Sequence, residues 1–476
     1  MTISQGISSR AQRHSACSLA RRIFAPCFGD RLSSTFQMSK GRLMSIACVE
    51  EMKKRPGFTV PVVGALVCVL APFTLHAADD ERESAGKRRP DHVVRSTPEN
   101  VTWGDFPSDR PPVVVVRSGE IVQIDTLSHA GATQGATSGA APGNEANHPV
   151  AYLAQFGVKP RQVLRDVINF WLSGPTRPRT GRGGHILTGP VYIDGAEPGD
   201  MLEVQVLNLK TRVPYGINNA GPTSGVLGAN YAGAVGPFYS GALGDDYPGR
   251  LSIAPPVIPP FGPVGNRNLI WTGEARGREV AFFSRDITVP LGPFMGIMAV
   301  SPENPVPGQP GVTVAGVQGS TPPGVFGGNM DVKDLKAGST LYLPVFQPGA
   351  LFYTGDPHSA QGDGEVSGTA IEHSLTGTFR FILHKGKTIS GPRAEDRTHY
   401  IMMGIDLDLD RAMRIAVQEV VNFLVNDKGL EPGYAYSLAS IAVDFHVGEA
   451  VDQTQIVTGK IPKAIFSEAS GPGARR

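Results

Sequence analysis

The chain has 476 residues, of which 41% are hydrophobic and 18% are charged, and its formal net charge is +1. A charge fraction this low excludes a disordered chain and a coiled coil, and the lack of a basic surplus argues against a nucleic-acid partner. The 58 Gly and 40 Pro residues favour many turns and a β-rich fold with few long helices.

The cysteines separate an N-terminal region from the folded body. All four precede residue 69, and they are Cys17, Cys27, Cys48 and Cys68. The body therefore offers no thiol nucleophile, no disulfide and no Cys-ligated zinc. This excludes the amidases that depend on a cysteine.

The N-terminal region has the pattern of a secretory signal. After Met52, a basic run precedes an apolar stretch at 58–75 and a small-residue cleavage point at Ala77. A retained membrane anchor is the alternative, but helix breakers within the short apolar run favour a signal peptide. We expect 52–77 to be that peptide and 1–51 to be a disordered extension or an over-extended gene start, with translation beginning at Met44 or Met52. The mature protein is then periplasmic or secreted and has no stable membrane anchor.

The body, at 91–467, follows a flexible lead-in at 78–90 and ends in a flexible tail at 468–476. Short β-branched and aromatic runs bounded by turn residues predict strands. Apolar residues at helical spacing predict helices at 163–173, near 410–425 and at 432–445. The Gly-rich stretches 130–147, 213–265 and 303–324 are predicted to be irregular. The predicted strands are 112–117, 119–124, 191–193, 201–207, 278–283, 340–346 and 376–383.

The segment 356–365 carries the densest chemistry. Asp356 and His358 are two residues apart, and Asp363 and Glu365 repeat that spacing. On an extended chain such pairs point to one face. Crowded carboxylates are costly unless a cation lies among them, and imidazole with carboxylate is a ligand set for a divalent metal. The alternative is a polar, solvated turn.

Two further positions are weaker candidates. Asn329 and Asp331 share a face after Gly327 and Gly328, although a glycine turn with an Asx hydrogen bond explains them equally well. His185 lies in a Gly-rich stretch, where a lone His is more often structural. His129, His373 and His399 have no stronger local pattern. No zinc-protease, phosphate-loop, dinucleotide or serine-hydrolase motif is found, so activated water is the favoured nucleophile.

Read together, seven blocks in this order resemble the acetamidase/formamidase family, over about 92–465. The resemblance implies a mainly β fold with β-sandwich and β-barrel subdomains, a smaller α/β part and homo-oligomers. It implies metal-assisted hydrolysis of a small amide to carboxylate and ammonia. Pro357 and Ser359 depart from the usual motif, and expanded loops at 130–160 and 213–265 leave the substrate open. The blocks are 185–190, 195–200, 293–298, 327–331, 341–345, 355–365 and 398–402.

The resemblance also suggests roles for individual residues. Asp356 and His358 are predicted metal ligands, completed by His185, Asn329 or Asp331, with zinc as the first choice and calcium as the alternative. Glu365 is the predicted general base and later acid, a role for which Asp363 competes. The predicted substrate pocket includes Gln361, Phe294 and Met295. Two rival functions remain: a metal hydrolase of larger or cyclic amides, and a non-catalytic periplasmic amide-binding protein.

Overall fold

The computed structural model describes residues 89–129, 131–133, 148–174, 183–219, 225–226 and 267–466. All of them belong to the compact unit Ala71–Arg476. The predicted signal peptide, the extension before it and the C-terminal tail lie outside the described residues. So do residues 134–147 and 227–266 of the stretches predicted to be irregular.

Strands dominate the described chain, which confirms the predicted mainly β fold. The strands are β1 (His92–Val94), β2 (Val101–Trp103), β3 (Val114–Val116), β4 (Ile121–Asp125), β5 (Ile186–Ile193), β6 (Met201–Thr211), β7 (Tyr215–Asn219), β8 (Arg267–Ala275), β9 (Arg278–Phe282), β10 (Thr288–Pro290), β11 (Phe294–Val300), β12 (Gly327–Asn329), β13 (Thr340–Pro344), β14 (Phe352–His358), β15 (Leu375–His384), β16 (Arg393–Glu395), β17 (His399–Asp406), β18 (Asp444–Glu449) and β19 (Gln455–Pro462). The helices are α1 (Pro149–Ala154), α2 (Arg165–Leu172), α3 (Leu409–Asn426) and α4 (Pro432–Ala442), with 3₁₀ turns at Pro160–Gln162 and Lys463–Ile465.

The described strands form three sheets. The first has nine strands in the order β1-β4-β15-β6-β13-β16-β17-β19-β18. The second has the order β12-β11-β14-β5-β2, with β3 added beside β5, and the third has the order β10-β9-β8-β7. Most neighbouring strands are antiparallel, as expected for a fold built from short strands and tight turns.

One apolar core lies between the nine-stranded and the six-stranded sheet. Phe379 and Phe381 enter it from β15, and Phe352 enters it from β14. Burial along β15 alternates residue by residue, which is the period expected of a strand with one face on the core. Each such aromatic side chain contributes about 1.5–3 kcal/mol through burial.

The predicted late helices are both present. Asp408 caps α3 by accepting a hydrogen bond from the Arg411 amide at 2.9 Å. The apolar face of α3, which includes Val420 and Leu424, packs with α4 against β17 and β19. The second helix ends at Ala442 rather than at residue 445, because strand β18 begins at Asp444. No helix among the described residues is long and apolar enough to cross a membrane.

The prediction for 213–265 is wrong at 215–219. Residues Tyr215–Asn219 form β7, which pairs with β8 along its full length. Glycine and asparagine give this strand a low local propensity, so its pairing with a partner distant in sequence decides its conformation.

Candidate functional site

Strand β14 delivers the central residues of the site. All seven of its residues are buried, between β11 on one side and β5 on the other. Asp356 and His358 lie at its C-terminal end, and Asp356 Oδ2 is 3.2 Å from His358 Nε2. The two side chains therefore share one face, as their spacing predicts.

Three further side chains complete an imidazole–carboxylate cluster, which consists of His129, His185, Asp356, His358 and Glu372. His129 follows β4, His185 precedes β5, and Glu372 forms a backbone bridge with His358. The distances from Asp356 are 3.5 Å to His129 Nδ1 and 3.9 Å to His185 Nε2. Glu372 lies 3.2 Å from His358 Nε2 and 3.7 Å from His129 Nδ1.

The polar atoms of this cluster face one another, but several of them form no hydrogen bond. Within the described part of the chain, four buried atoms of this cluster have no hydrogen-bond partner: His129 Nδ1, Asp356 Oδ1, His358 Nε2 and Glu372 Oε2. Buried polar atoms without partners are rare in folded proteins because each costs about 1–3 kcal/mol. Two carboxylates and three imidazoles match the donor types and the charge balance of a divalent cation. These buried groups could therefore bind such an ion.

Electrostatics within the cluster couple Asp356 to His358. Burial raises the pKa of Asp356, but the neighbouring imidazoles of His185 and His358 outweigh it and hold that pKa well below the usual range. Burial lowers the pKa of His358, but the charges of Glu372 and Asp356 outweigh it and raise that pKa well above normal. The cluster thus favours a positive charge at His358 Nε2, and a metal would take the place of that proton.

The two partly exposed imidazoles respond differently. Burial lowers the pKa of His185, whereas the charges of Glu372 and Asp356 raise the pKa of His129 despite its burial. Their ring centroids are 5.4 Å apart. His185 Nδ1 lies 3.0 Å from Ser320 Oγ, which leaves Nε2 facing Asp356.

Gln361 fixes the orientation of His358. Its Nε2 donates to the carbonyl oxygen of Asp331 at 2.7 Å, so its Oε1 faces His358 Nδ1 at 3.0 Å. Because Oε1 only accepts, Nδ1 carries a proton and Nε2 is directed into the cluster. An outer partner of this kind is typical of imidazoles that ligate a metal.

A group of acids also adjoins His358. Asp331 Oδ1 lies 3.5 Å from Nδ1, and Glu365 Oε1 lies 4.0 Å from Nε2. Burial raises the pKa of Asp331 and of Glu365 well above that of an ordinary carboxyl group, and neighbouring acids raise both further. Asn329 is also buried here, and its Nδ2 donates to Asp452.

Two of these acids come from late in the chain. Burial raises the pKa of Asp452 to about 7 and that of Glu449 to about 8. Glu449 Oε1 accepts from the Asp452 amide at 2.6 Å, and its Oε2 has no partner among the described residues. The region behind His358 is therefore rich in carboxyl groups that burial biases toward the neutral form.

Asp363 lies apart from these groups. Its carboxylate is 3.0 Å from Lys333 Nζ and 3.5 Å from His446 Nδ1, and about a third of the side chain is exposed. The structure therefore separates Asp363 from Glu365, which the sequence leaves as competitors for one role.

The predicted pocket residues have three different surroundings. Phe294 is buried with its ring edge-on to His358, at 5.1 Å between centroids. Met295 is buried in the core between the two large sheets, where its sulfur lies 3.8 Å from Thr126 Oγ1. Of the three, Gln361 lines a cavity in the described part of the chain.

Three non-glycine residues of the site have a strained backbone. Asp331, Asp356 and Glu365 have positive φ of 48°, 45° and 44°, a conformation that costs about 1 kcal/mol or more per non-glycine residue. Gly296 on β11 lies directly against this region, because an added Cβ would overlap Asp331 Oδ1 and approach Asp356 Oδ2 to 2.9 Å. The site thus tolerates no side chain at that position without displacing both carboxylates.

No local sequence pattern selects His129 or Glu372. His129 follows the mixed polar and apolar segment Asp125 to Ser128, which carries no sequence signal of a site. Glu372 lies fourteen residues beyond His358 and returns to it through a turn. Asp452 and Glu449 carry no local motif.

Comparisons with known proteins relate part of the chain to one family. The model of the Acetamidase/Formamidase family matches residues 311–468. The acetamidase of Yersinia enterocolitica, a solved structure, aligns at a TM-score of 0.55 and 26% identity over 79% of this chain and 94% of its own. Over residues 311–468 the chain is similar to the acetamidase/formamidase family. The matched segment contains Asp331, Asp356, His358, Glu365 and Glu372.

Among named relatives, the chain is similar to the acetamidase of Mycolicibacterium smegmatis, with 29% identity over 210 residues, or 38% of this chain and 49% of the relative. It is also similar to the formamidase of Methylophilus methylotrophus, with 28% identity over 195 residues, or 38% of this chain and 47% of the relative. The chain thus spans about half the length of these curated relatives.

Proposed function

We propose that the chain belongs to the acetamidase/formamidase family and hydrolyses a primary carboxamide: the amide and water give a carboxylate and ammonia. The packing of three imidazoles and two carboxylates into one cluster carries the proposal. An unactivated amide is resonance-stabilised, so its hydrolysis needs polarisation of the carbonyl oxygen, a nucleophile and a proton for the nitrogen. The named relatives of the chain act on the same bond, by their names.

His129, His185, Asp356, His358 and Glu372 are the residues that would hold a divalent cation, which we take to be zinc because imidazole and carboxylate are its ordinary ligands. When bound, such a cation supplies Lewis acidity at the carbonyl oxygen and makes water more acidic. Among the residues that the sequence proposes as ligands, Asn329 and Asp331 lie on the side of the acidic group. In this proposal, His129 and Glu372 are ligands instead of Asn329 and Asp331.

Glu365 is our candidate for moving the proton. Its Oε1 is close to the cluster, at 4.0 Å from His358 Nε2, and its buried carboxyl has a raised pKa. A carboxyl group with a pKa raised toward neutrality can accept a proton from the attacking water and return it to the departing nitrogen. Asp363 is the weaker candidate, because its carboxylate is engaged with Lys333.

The test is ammonia release from formamide, acetamide and propionamide, before and after treatment with a chelator. Glu365→Gln should lower kcat by about 10²–10⁴-fold while the metal content stays unchanged. Asp363→Asn is the matched control and should lose less than about threefold. Full activity in the Glu365→Gln protein would refute the assignment, and no release from any amide by metal-replete protein would refute the function.

We also propose that the protein is exported. The basic run, apolar stretch and small residues at 52–77 support this proposal, and the cysteine-free body is compatible with it. N-terminal sequencing of the protein from its native host should give a mature end near Ala78. A mature end upstream of residue 52 would contradict it.

A further inference from the structure

A cavity of about 520 Å³ opens beside Gln361 and Glu365. Such a volume suits a ligand much larger than formamide or acetamide, which have only a few non-hydrogen atoms. Gln361 contacts His358, and Glu365 is our proton carrier, so the cavity meets the proposed site at these two residues.

One wall of the cavity is apolar. It combines side chains from β8, from the segment around β10 and from the chain that returns toward Glu372. Because Ile270 and Ile371 are buried in one small apolar cluster, this wall is packed rather than loose. The apolar lining residues are Ile270, Phe283, Val289, Leu291 and Ile371. A short amide would leave this wall in contact with water, whereas an alkyl chain would cover it.

The cavity also has a cationic end. Lys333 and Lys336 both line it, but Lys333 is neutralised by Asp363 at 3.0 Å. Lys336 is exposed, and no carboxylate of the described residues lies within ion-pair distance of it. Its Nζ lies over Gly292, where an added Cβ would approach it to 2.9 Å.

The backbone register sets the separation between the backbone of Lys336 and that of His358. Lys336 forms a bridge with Phe294, and Phe294 pairs with His358. Two steps between neighbouring strands correspond to about 10 Å between the backbones of Lys336 and His358. An extended molecule can therefore place an amide at Glu365 and an anion at Lys336.

We propose that the preferred substrate is a primary amide whose apolar acyl chain ends in a carboxylate, an inference that rests on the proposed amide hydrolysis. The alkyl chain lies on the Ile270–Ile371 wall and the terminal carboxylate pairs with Lys336. The reaction consumes one water, breaks the C–N bond, and yields a dicarboxylate and ammonia.

The test compares acetamide, hexanamide and adipamate, which is the monoamide of hexanedioic acid, as substrates of the full chain. The kcat/KM should rise by about fourfold for each methylene that the wall buries. Adipamate should exceed hexanamide by about threefold or more, and this advantage should shrink as salt is added. Lys336→Gln should remove the advantage in kcat/KM of adipamate over hexanamide. Lys387→Gln, an exposed lysine elsewhere, should keep it.

Calorimetric binding of adipate gives a readout that does not depend on turnover, and Lys336→Gln should weaken it by the same factor. Ammonia from hexanamide and adipamate at equal rates, or an unchanged ratio in Lys336→Gln, would overturn this inference alone. Ammonia from none of the amides would overturn the proposed function, and the substrate assignment with it.

Discussion

Replacement of Gln361 by Leu tests how the site orients its central imidazole. The side chain links two buried groups, because it donates to the carbonyl oxygen of Asp331 at 2.7 Å and faces His358 Nδ1 at 3.0 Å. Leu has nearly the same volume but can form neither of these two contacts. The variant therefore leaves the His358 N–H and a buried carbonyl without partners, and little cavity cost is added.

Removal of an outer partner from a metal-ligating imidazole weakens metal affinity by about 10–100-fold. The unfolding free energy of the metal-free protein should also fall by about 1–3 kcal/mol, because buried polar groups lose their partners. At saturating metal, most of the activity should return.

The assay is a zinc titration against a competing chelator, paired with urea unfolding of the metal-free protein. Gln418→Leu is the matched control, because Gln418 is exposed on α3 and bonds only Asn422 among the contacts described, at 2.9 Å. A folded Gln361→Leu protein with wild-type zinc affinity would refute the claim that Gln361 sets the orientation of His358.

Two other predictions address the residues around the site and the stability of the fold. His129→Gln should lower zinc affinity at least tenfold, whereas His399→Gln, on β17, should leave it unchanged; equal affinities in both would remove His129 from the cluster. Burial raises the pKa of Asp200, but hydrogen bonds from Lys385 at 2.7 Å and Gly386 at 2.7 Å outweigh it and lower that pKa below its usual 3.8. Asp200→Asn should therefore cost about 1–3 kcal/mol in urea unfolding at pH 7. Because the folded-state pKa lies below the unfolded one, the difference from wild type should persist above about pH 4 and vanish as the pH falls through the folded value. A difference independent of pH would show that the charge of Asp200 does not matter.

The sequence determined those features that depend on neighbours along the chain. A run of β-branched and aromatic residues predicted β15, and apolar residues at helical spacing predicted α3. The two-residue spacing of Asp356 and His358 predicted their common face, because side chains on a strand repeat every second residue. Blocks in a fixed order predicted the resemblance to one family.

The two-residue repeat of a strand could not decide whether Asp363 or Glu365 carries the proton. Only the tertiary structure separates the two residues. Positive φ at Gly364 and Glu365 turns the backbone, so the alternation of a strand is lost there. Glu365 points into the buried acidic group, and Asp363 points out to Lys333.

The membership of the imidazole–carboxylate cluster was also decided by the tertiary structure. His129 leaves the nine-stranded sheet after β4, whereas His358 ends a strand of the six-stranded sheet, and the packing of the two sheets brings their ends together. Glu372 reaches the same point because the chain returns along β14. Residues separated by more than two hundred positions meet only through the packing of these sheets. No local pattern in the sequence therefore signals the contact.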